Sequence, residues 1–385
     1  MDMASLRGAV AAANDDYLAL LESMVNVDCG SYTPAGVGRI ADMLQERLAG
    51  AGWEVDRRAH APGPGEPQLG DLLIGRLAGE GPTRVLMVGH MDTVFDEGTA
   101  TERPFTIEGT TARGPGVSDM KGGLLAGVFA VEALQRLGAT FGPITYVCNP
   151  DEEIGSPLSR PVIAELATEH DVAFVLEGAR ENGDIVSARK GVTDYDMIVR
   201  GRAAHAGVEP ERGRHAILQA AHTIVALQAL NGRWPGVTVN VGVAEGGTRP
   251  NVVPEVCRLQ VDLRSPERDT LEAAECEVER ICADTQVEGT AVEVHTAAWH
   301  RPMERSAGSA RLVELAMRLA GELGFEVRDA ATGGASDANT TSAAGTPTLD
   351  GLGPIGGDDH APGEWLDLNS VVPRTSLLAG LIASA

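Results

Sequence analysis

The sequence predicts an α/β protein, with a mostly parallel sheet covered by helices on both faces and interrupted by an α+β sandwich domain. Three observations predict it. Between residues 84 and 176 short apolar runs alternate with amphipathic stretches of helical period. From Gly191 the strand-like segments lengthen and alternate in polarity, and near Pro302 the first pattern resumes. A chain of 385 residues suggests two or three domains at roughly 150 residues each, every one able to bury a core. The expected division is one domain built from residues 1–190 and 303–385, with a second inserted at 191–302.

Taken in order, residues 5–51 read as helical, with Leu18, Leu21, Val25, Ile40, Leu44 and Leu48 at spacings of three and four and a stop at Gly50-Ala51-Gly52. A Pro/Gly loop follows from Pro62 to Pro67. Strands are expected at 84–89, 144–149 and 172–176, with helices at 122–137 and 160–169 between them. The inserted domain shows strands at 192–199, 237–243, 256–263 and 291–297, interleaved with helices at 215–230 and 270–283. Strand, helix, strand, strand, helix, strand is the order of an α+β sandwich. The first domain is completed by a helix at 309–323, a strand at 325–328, a helix at 336–344, a strand at 346–349 and a closing helix from Ser370.

Acidic residues outnumber basic ones by 55 to 31, a formal charge of −24, which repels a phosphate backbone or an anionic membrane surface. Nucleic acid and membrane are therefore not expected partners. No apolar run approaches the ~18 residues of a membrane helix, and the N-terminal MDMASLRG lacks the basic start and long apolar stretch of a secretory signal. The expected location is cytoplasmic. Five scattered cysteines without a C-x-x-C pair read as reduced core thiols rather than a disulfide framework or a thiolate zinc site.

In α/β sheets functional groups gather at the carboxyl ends of the strands, and those ends carry metal-type ligands here. The strand at 84–89 leads into His90 and Asp92; a Gly-rich loop leads to Asp119; the strand at 144–149 ends in Asp151, Glu152 and Glu153; that at 172–176 ends in Glu177; His360 follows Asp358 and Asp359. Two imidazoles and several carboxylates without cysteine suit a divalent ion, zinc first, with manganese or cobalt as substitutes. Asp92 is placed to fix the His90 tautomer, and Asp119 has two oxygens with which to bridge two metals about 3.5–4 Å apart. Adjacent Glu152 and Glu153 would raise each other's pKa, so one is expected to be a ligand and the other a general base. The Gly114-Pro115-Gly116 stretch matches neither glycine-rich phosphate-binding pattern.

The segments GHMDTV at 89–94, GPGVSDMKGG at 114–123 and NPDEEIG at 149–155 resemble the three metal motifs of the two-metal amidohydrolases and exopeptidases. That family includes acetylornithine deacetylase, succinyl-diaminopimelate desuccinylase, aminoacylase and the glutamate carboxypeptidase glucarpidase. The likeness covers essentially the whole chain and is greatest to glucarpidase around DEEIGSPLSR and ATGGASDAN. It implies a zinc-exopeptidase-like fold with two zinc ions per subunit. His90 and Glu177 would hold one, Glu153 and His360 the other, and Asp119 would bridge them; Glu152 would be the base and Asp92 its supporting neighbour. The resemblance also implies a cis peptide between Asp119 and Met120.

The inserted domain resembles the family's lid and dimerisation domain. GRAAHAGVEP is similar to its lid motif, which implies that His205 serves a partner's site in a homodimer. Asn251 in NVVP and Arg264 in DLR resemble a clamp for the substrate carboxylate, and Gly333-Gly334 resembles a turn that offers it backbone N–H groups. Glu177, where aminopeptidases of the family tend to have Asp, implies a carboxypeptidase or deacylase. The expected function is hydrolysis of the amide bond to a C-terminal or N-acylated amino acid, in a small-molecule or peptide substrate with a free carboxylate. The alternatives are a small-molecule N-acyl-amino-acid deacylase, and a non-catalytic metal-binding protein, which would have no need of Glu152.

Overall fold

Six strands, in the order Glu54–Arg58, Leu72–Leu77, Ile144–Asn149, Val85–His90, Val172–Val175 and Thr348–Leu349, form the sheet that carries most of the ligand-bearing loops. The last four run parallel to one another, and the first two are antiparallel additions at one edge. Ile144–Asn149 and Val85–His90 are buried along their whole length, which is why they read as unbroken apolar runs rather than alternating ones. Because they are parallel, their carboxyl ends fall along one side of the sheet. The computed structural model describes residues 2–385.

The chain forms two compact units. The first comprises the chain up to Ser187, with Arg305–Ala331 and Ser336–Ala385; the second comprises Ala188–Glu304 and Thr332–Ala335. In the first, helices pack in two groups: Gly123–Arg136 with Leu368–Ser384 and Met3–Ala11, and Arg160–Thr168 with Asp337–Ala343. A Cβ at Gly123 would lie 1.8 Å from the Leu176 carbonyl oxygen, so glycine lets the helix after Asp119 come up to the strand end before Glu177. A smaller sheet pairs Trp365–Asp367 with Thr111–Arg113, setting the loop before Trp365 beside the one after Arg113.

The second unit is a four-stranded antiparallel sheet in the order Thr238–Gly246, Val256–Ser265, Gly191–Arg200, Ala291–His300. Tyr195, Met197, Val199, Leu259, Val261 and Leu263 alternate along its central strands into one core with helices Ala216–Gln228 and Arg268–Ala283. No helix among the described residues is long and apolar enough to cross a membrane.

Several elements differ from those expected. Residues 5–51 form three helices, Met3–Ala11, Asn14–Val25 and Pro34–Gly50, and the break between the last two carries Ser31 towards Asp92. The strands Glu54–Arg58 and Leu72–Leu77 were not expected. No strand forms at 325–328: Gly324, at φ 86°, ends the preceding helix and the Phe325 N–H bonds to the Ala320 carbonyl, a closing bond that consumes the segment. Pairing begins instead at Asp329–Thr332.

Candidate metal centre

His90 ends its strand with its side chain 1% exposed. Its Nδ1 lies 3.0 Å from the Asp92 backbone carbonyl and 3.4 Å from the Asp92 carboxylate. With these acceptors as partners Nδ1 carries a hydrogen, which leaves Nε2 as the nitrogen that can serve as a ligand once it gives up its own. Nε2 lies 3.0 Å from Asp119 Oδ1 and 3.8 Å from Glu177 Oε1. The other Asp119 oxygen is 3.1 Å from His360 Nε2, which is 3.2 Å from Glu153 Oε2. The ligand atoms form two triads, His90–Asp119–Glu177 and Asp119–Glu153–His360, with Asp119 in both. The Asp119–Met120 peptide is cis.

The Asp92 carboxylate does more than face an imidazole. It accepts from Ser31 Oγ at 2.6 Å and from the backbone N–H groups of Glu152 at 3.1 Å and Glu153 at 3.2 Å. It thereby joins the His90 strand end to the turn Glu152–Ile154 that carries both glutamates. His360 has φ 63°, uncommon for a residue other than glycine, and its side chain is 57% exposed. One triad is thus enclosed and the other opens to solvent.

Charge marks the centre as built for cations. Burial alone would lower the His90 pKa, but hydrogen bonds to Asp119 and Asp92 and the nearby Glu177 charge hold it well above its usual value. Hydrogen bonds to Asp119 and Glu153 push His360 up to about 10. Burial opposes ionisation of Asp119, yet the two imidazoles keep its carboxyl well below the usual carboxylate range. Burial pushes Glu152 well above its ordinary value, with the Glu177 and Glu153 charges adding to the effect. Glu153 rises for the same first reason, against the pull of His360. Glu153 Oε1 is buried with no hydrogen-bond partner among the described residues, a costly state for a carboxylate oxygen. Two imidazoles, three carboxylates and an orphaned oxygen fit a pair of divalent ions of the zinc class.

The first unit therefore brings together His90, Asp92, Asp119, Glu152, Glu153, Glu177 and His360. The remaining candidates lie in the second unit. Exposed His205 pairs with Val252 in a short ribbon, and Ala206 N–H bonds to the Asn251 carbonyl. Arg264 is held by Asp262 at 2.8 Å and donates to the Gly333 carbonyl at 2.8 Å. Gly334 accepts from Arg189 at 3.1 Å.

Three residues of the centre were not anticipated. Ser31 bonds Asp92. Asp337, inside ATGGASDAN, is 1% exposed and bonds Ser156 at 2.7 Å and the Asn149 amide, on either side of the glutamate turn. Burial pushes it up to about 7. Glu364 accepts from the turn that carries Asp119. Its spacing of four from His360 is the only local signal it leaves.

The family model for peptidase family M20/M25/M40 matches residues 86–384. Carboxypeptidase G2 of Pseudomonas sp. (strain RS-16) is 29% identical over 381 residues, covering 96% of this chain and 90% of that protein. Acetylornithine deacetylase of Myxococcus xanthus is 28% identical over 258 residues, covering 64% and 66% respectively. Among solved structures, aminopeptidase PepT from Bacillus cereus superposes with a TM-score of 0.79 at 24% identity, covering 96% of this chain and 98% of that one.

Proposed function

Because the chain belongs to peptidase family M20/M25/M40, a family of hydrolases, we propose that it is a two-zinc carboxypeptidase-type amidohydrolase. It cleaves the amide bond to the nitrogen of an α-amino acid whose carboxylate is free. The observation that carries this reading is the placement of the two Asp119 oxygens, one 3.0 Å from His90 and the other 3.1 Å from His360, with Glu152 on the same turn as Glu153.

His90 and Glu177 would hold one ion, Glu153 and His360 the other, and Asp119 would offer an oxygen to each. Bound there, zinc, or cobalt or manganese in its stead, would supply Lewis acidity towards the scissile carbonyl and a water whose pKa falls from 15.7 to about 7. Glu152 takes the proton from water and delivers it to the departing nitrogen. Its burial raises its pKa, which suits a group that must first accept a proton and then return it. The second unit serves as lid and dimerisation domain: Arg264, Asn251 and the amides of Gly333 and Gly334 grip the substrate carboxylate, and His205 of a partner subunit donates to the tetrahedral oxyanion.

Likeness to carboxypeptidase G2 over 96% of the chain favours the carboxypeptidase reading. The acetylornithine deacetylase match over 64% supports a second, N-acyl-amino-acid deacylase, which shares the chemistry and differs in pocket lining. Amino-acid release from C-terminal Glu, Asp, aromatic and aliphatic peptides, set beside N-acetyl and N-succinyl amino acids with zinc, cobalt and manganese compared, decides between them. Turnover confined to the N-acyl compounds selects the deacylase; no release from any substrate by protein carrying two metals rules out both.

A further inference from the structure

Glu364 is 1% exposed, and its carboxylate collects three backbone N–H groups from a single turn. Gly116 donates to Oε2 at 2.8 Å, and Ser118 and Asp119 donate to Oε1 at 2.8 and 3.0 Å. The turn is wound tightly enough to need glycine at Gly116, where φ is 73° and a Cβ would lie 2.6 Å from Thr93 Cγ2. Hydrogen bonds from peptide N–H groups to a carboxylate are among the stronger ones. Leaving three such donors without an acceptor inside the protein would force the turn to rearrange.

The segment that carries His360 is fastened to the same place. Trp365 pairs with Arg113, Arg113 donates to the Gly363 carbonyl at 2.7 Å, and Arg103 donates to the Ala361 carbonyl at 3.4 Å. Glu364 then reaches from this segment into the Asp119 turn. One side chain so fixes the relation between two candidate ligands far apart in sequence, Asp119 and His360, which meet at 3.1 Å.

We propose that Glu364 is a positioning residue that sets the affinity of the Asp119–Glu153–His360 site by tying the Asp119 peptide to the His360 segment. The inference rests on the two-metal reading above. Two of the three ligands of that site depend on the tie, whereas the other triad has His90 at a strand end and Glu177 independent of it. The two sites therefore respond unequally.

The test uses the full-length protein and its Glu364→Gln and Glu364→Ala variants, titrated with zinc against a competing chelator. Glutamine keeps the shape and one acceptor oxygen but turns an NH2 group towards the backbone donors. The weaker of the two binding steps is expected to fall about 10–100-fold, the range for partners behind a ligand, more in Ala than in Gln, with the tighter step moving less. In the metal-free proteins, hydrogen exchange in a peptide spanning residues 114–122 should quicken in the same order. With substrate, kcat should fall while KM stays near wild type, and added zinc should recover it. Should Glu364→Ala not fold, Glu364→Gln carries the comparison. Unchanged binding steps in a folded variant overturn the inference, as does an equal drop in both steps accompanied by lower thermal stability, which marks a merely structural role. Wild-type protein that binds no second zinc instead overturns the two-metal reading, and the inference with it.

Discussion

The backbone N–H of Glu152 donates to the Asp92 carboxylate at 3.1 Å. The proposed base is thereby tied to the residue that orients the His90 imidazole, whose Nδ1 lies 3.0 Å from the Asp92 carbonyl. Ligand and base are thus positioned by one residue, the imidazole through its main-chain carbonyl and the base turn through its side chain. Asp92→Asn should retain the fold and the backbone contact to His90, yet it leaves one acceptor oxygen for the three donors Ser31, Glu152 and Glu153. We expect kcat to fall about 10–100-fold with a smaller change in metal content. Steady-state kinetics alongside metal analysis check it; a variant with wild-type kcat would separate Asp92 from the base turn.

Glu152 and Glu153 share a turn but should fail differently. Glu153 Oε2 lies 3.2 Å from His360, and its other oxygen is buried without a hydrogen-bond partner among the described residues, so Glu153→Ala should lose metal. Glu152→Gln should keep metal near the wild-type ratio and lose at least ~10²-fold in kcat, the scale of general-base catalysis. Metal-to-protein ratios measured beside turnover distinguish the two. If Glu152→Gln turns over normally with two ions bound, another group is the base.

How far the sequence reaches follows from the range of the interactions. Val85–His90 and Ile144–Asn149 are legible because strands buried on both faces must be apolar throughout, and the residues that end them are then candidates by position alone. Glu54–Arg58 is illegible for the opposite reason. It is an edge strand of mostly charged residues, and Arg57 is satisfied through ion pairs with Asp71 and Asp42 rather than through an apolar pattern. The Phe325-Glu326-Val327 alternation looks like a strand, but Phe325 belongs to a helix terminus and Val327 packs into the core without pairing. Ser31, Asp337 and Glu364 leave faint local traces because their partners are 61, 188 and 245 residues away. Only the folded chain brings them to Asp92, Asn149 and Asp119.

The metal-free protein should lose stability as pH rises from about 6 to 9, and zinc should lessen that loss. The sign follows from linkage. His360 has a folded pKa raised from its usual 6.5 to about 10 by Asp119 and Glu153, so its contribution is complete below about 6.5 and disappears as pH rises through 10. Asp337 and Glu364, pushed by burial to about 7, are likewise favoured in the protonated state and lose their contribution by about pH 7. Metal ions need the deprotonated ligands, so loading replaces the bound protons. Thermal unfolding across this range, with chelator and with zinc, is the measurement. A chelated protein whose Tm is level or rises with pH, or a zinc-loaded one with the same slope, contradicts the assignment.

His205 is exposed and its Nδ1 accepts only the local Gly207 N–H at 3.1 Å among the bonds it makes with described residues. The strand Thr238–Gly246 is an edge of its sheet, with residues 242–246 exposed, and an open edge can pair with a second copy about a twofold axis. In such a dimer, His205 of one subunit can serve the site of the other, where an oxyanion donor is worth ~3–4 kcal/mol. His205→Ala and Glu152→Gln should each be nearly inactive alone. After reversible dissociation and mixing, a heterodimer holds one site with an intact Glu152 in its own chain and an intact His205 supplied by the partner, so activity should return at that site. Random exchange makes half of the dimers mixed, each with one of two sites restored, which limits recovery to about a quarter of wild-type activity. Subunit exchange must be shown independently, by mass or by fluorescence transfer between labelled chains. If exchange is complete and no activity returns, His205 acts within its own chain or has no part in the reaction.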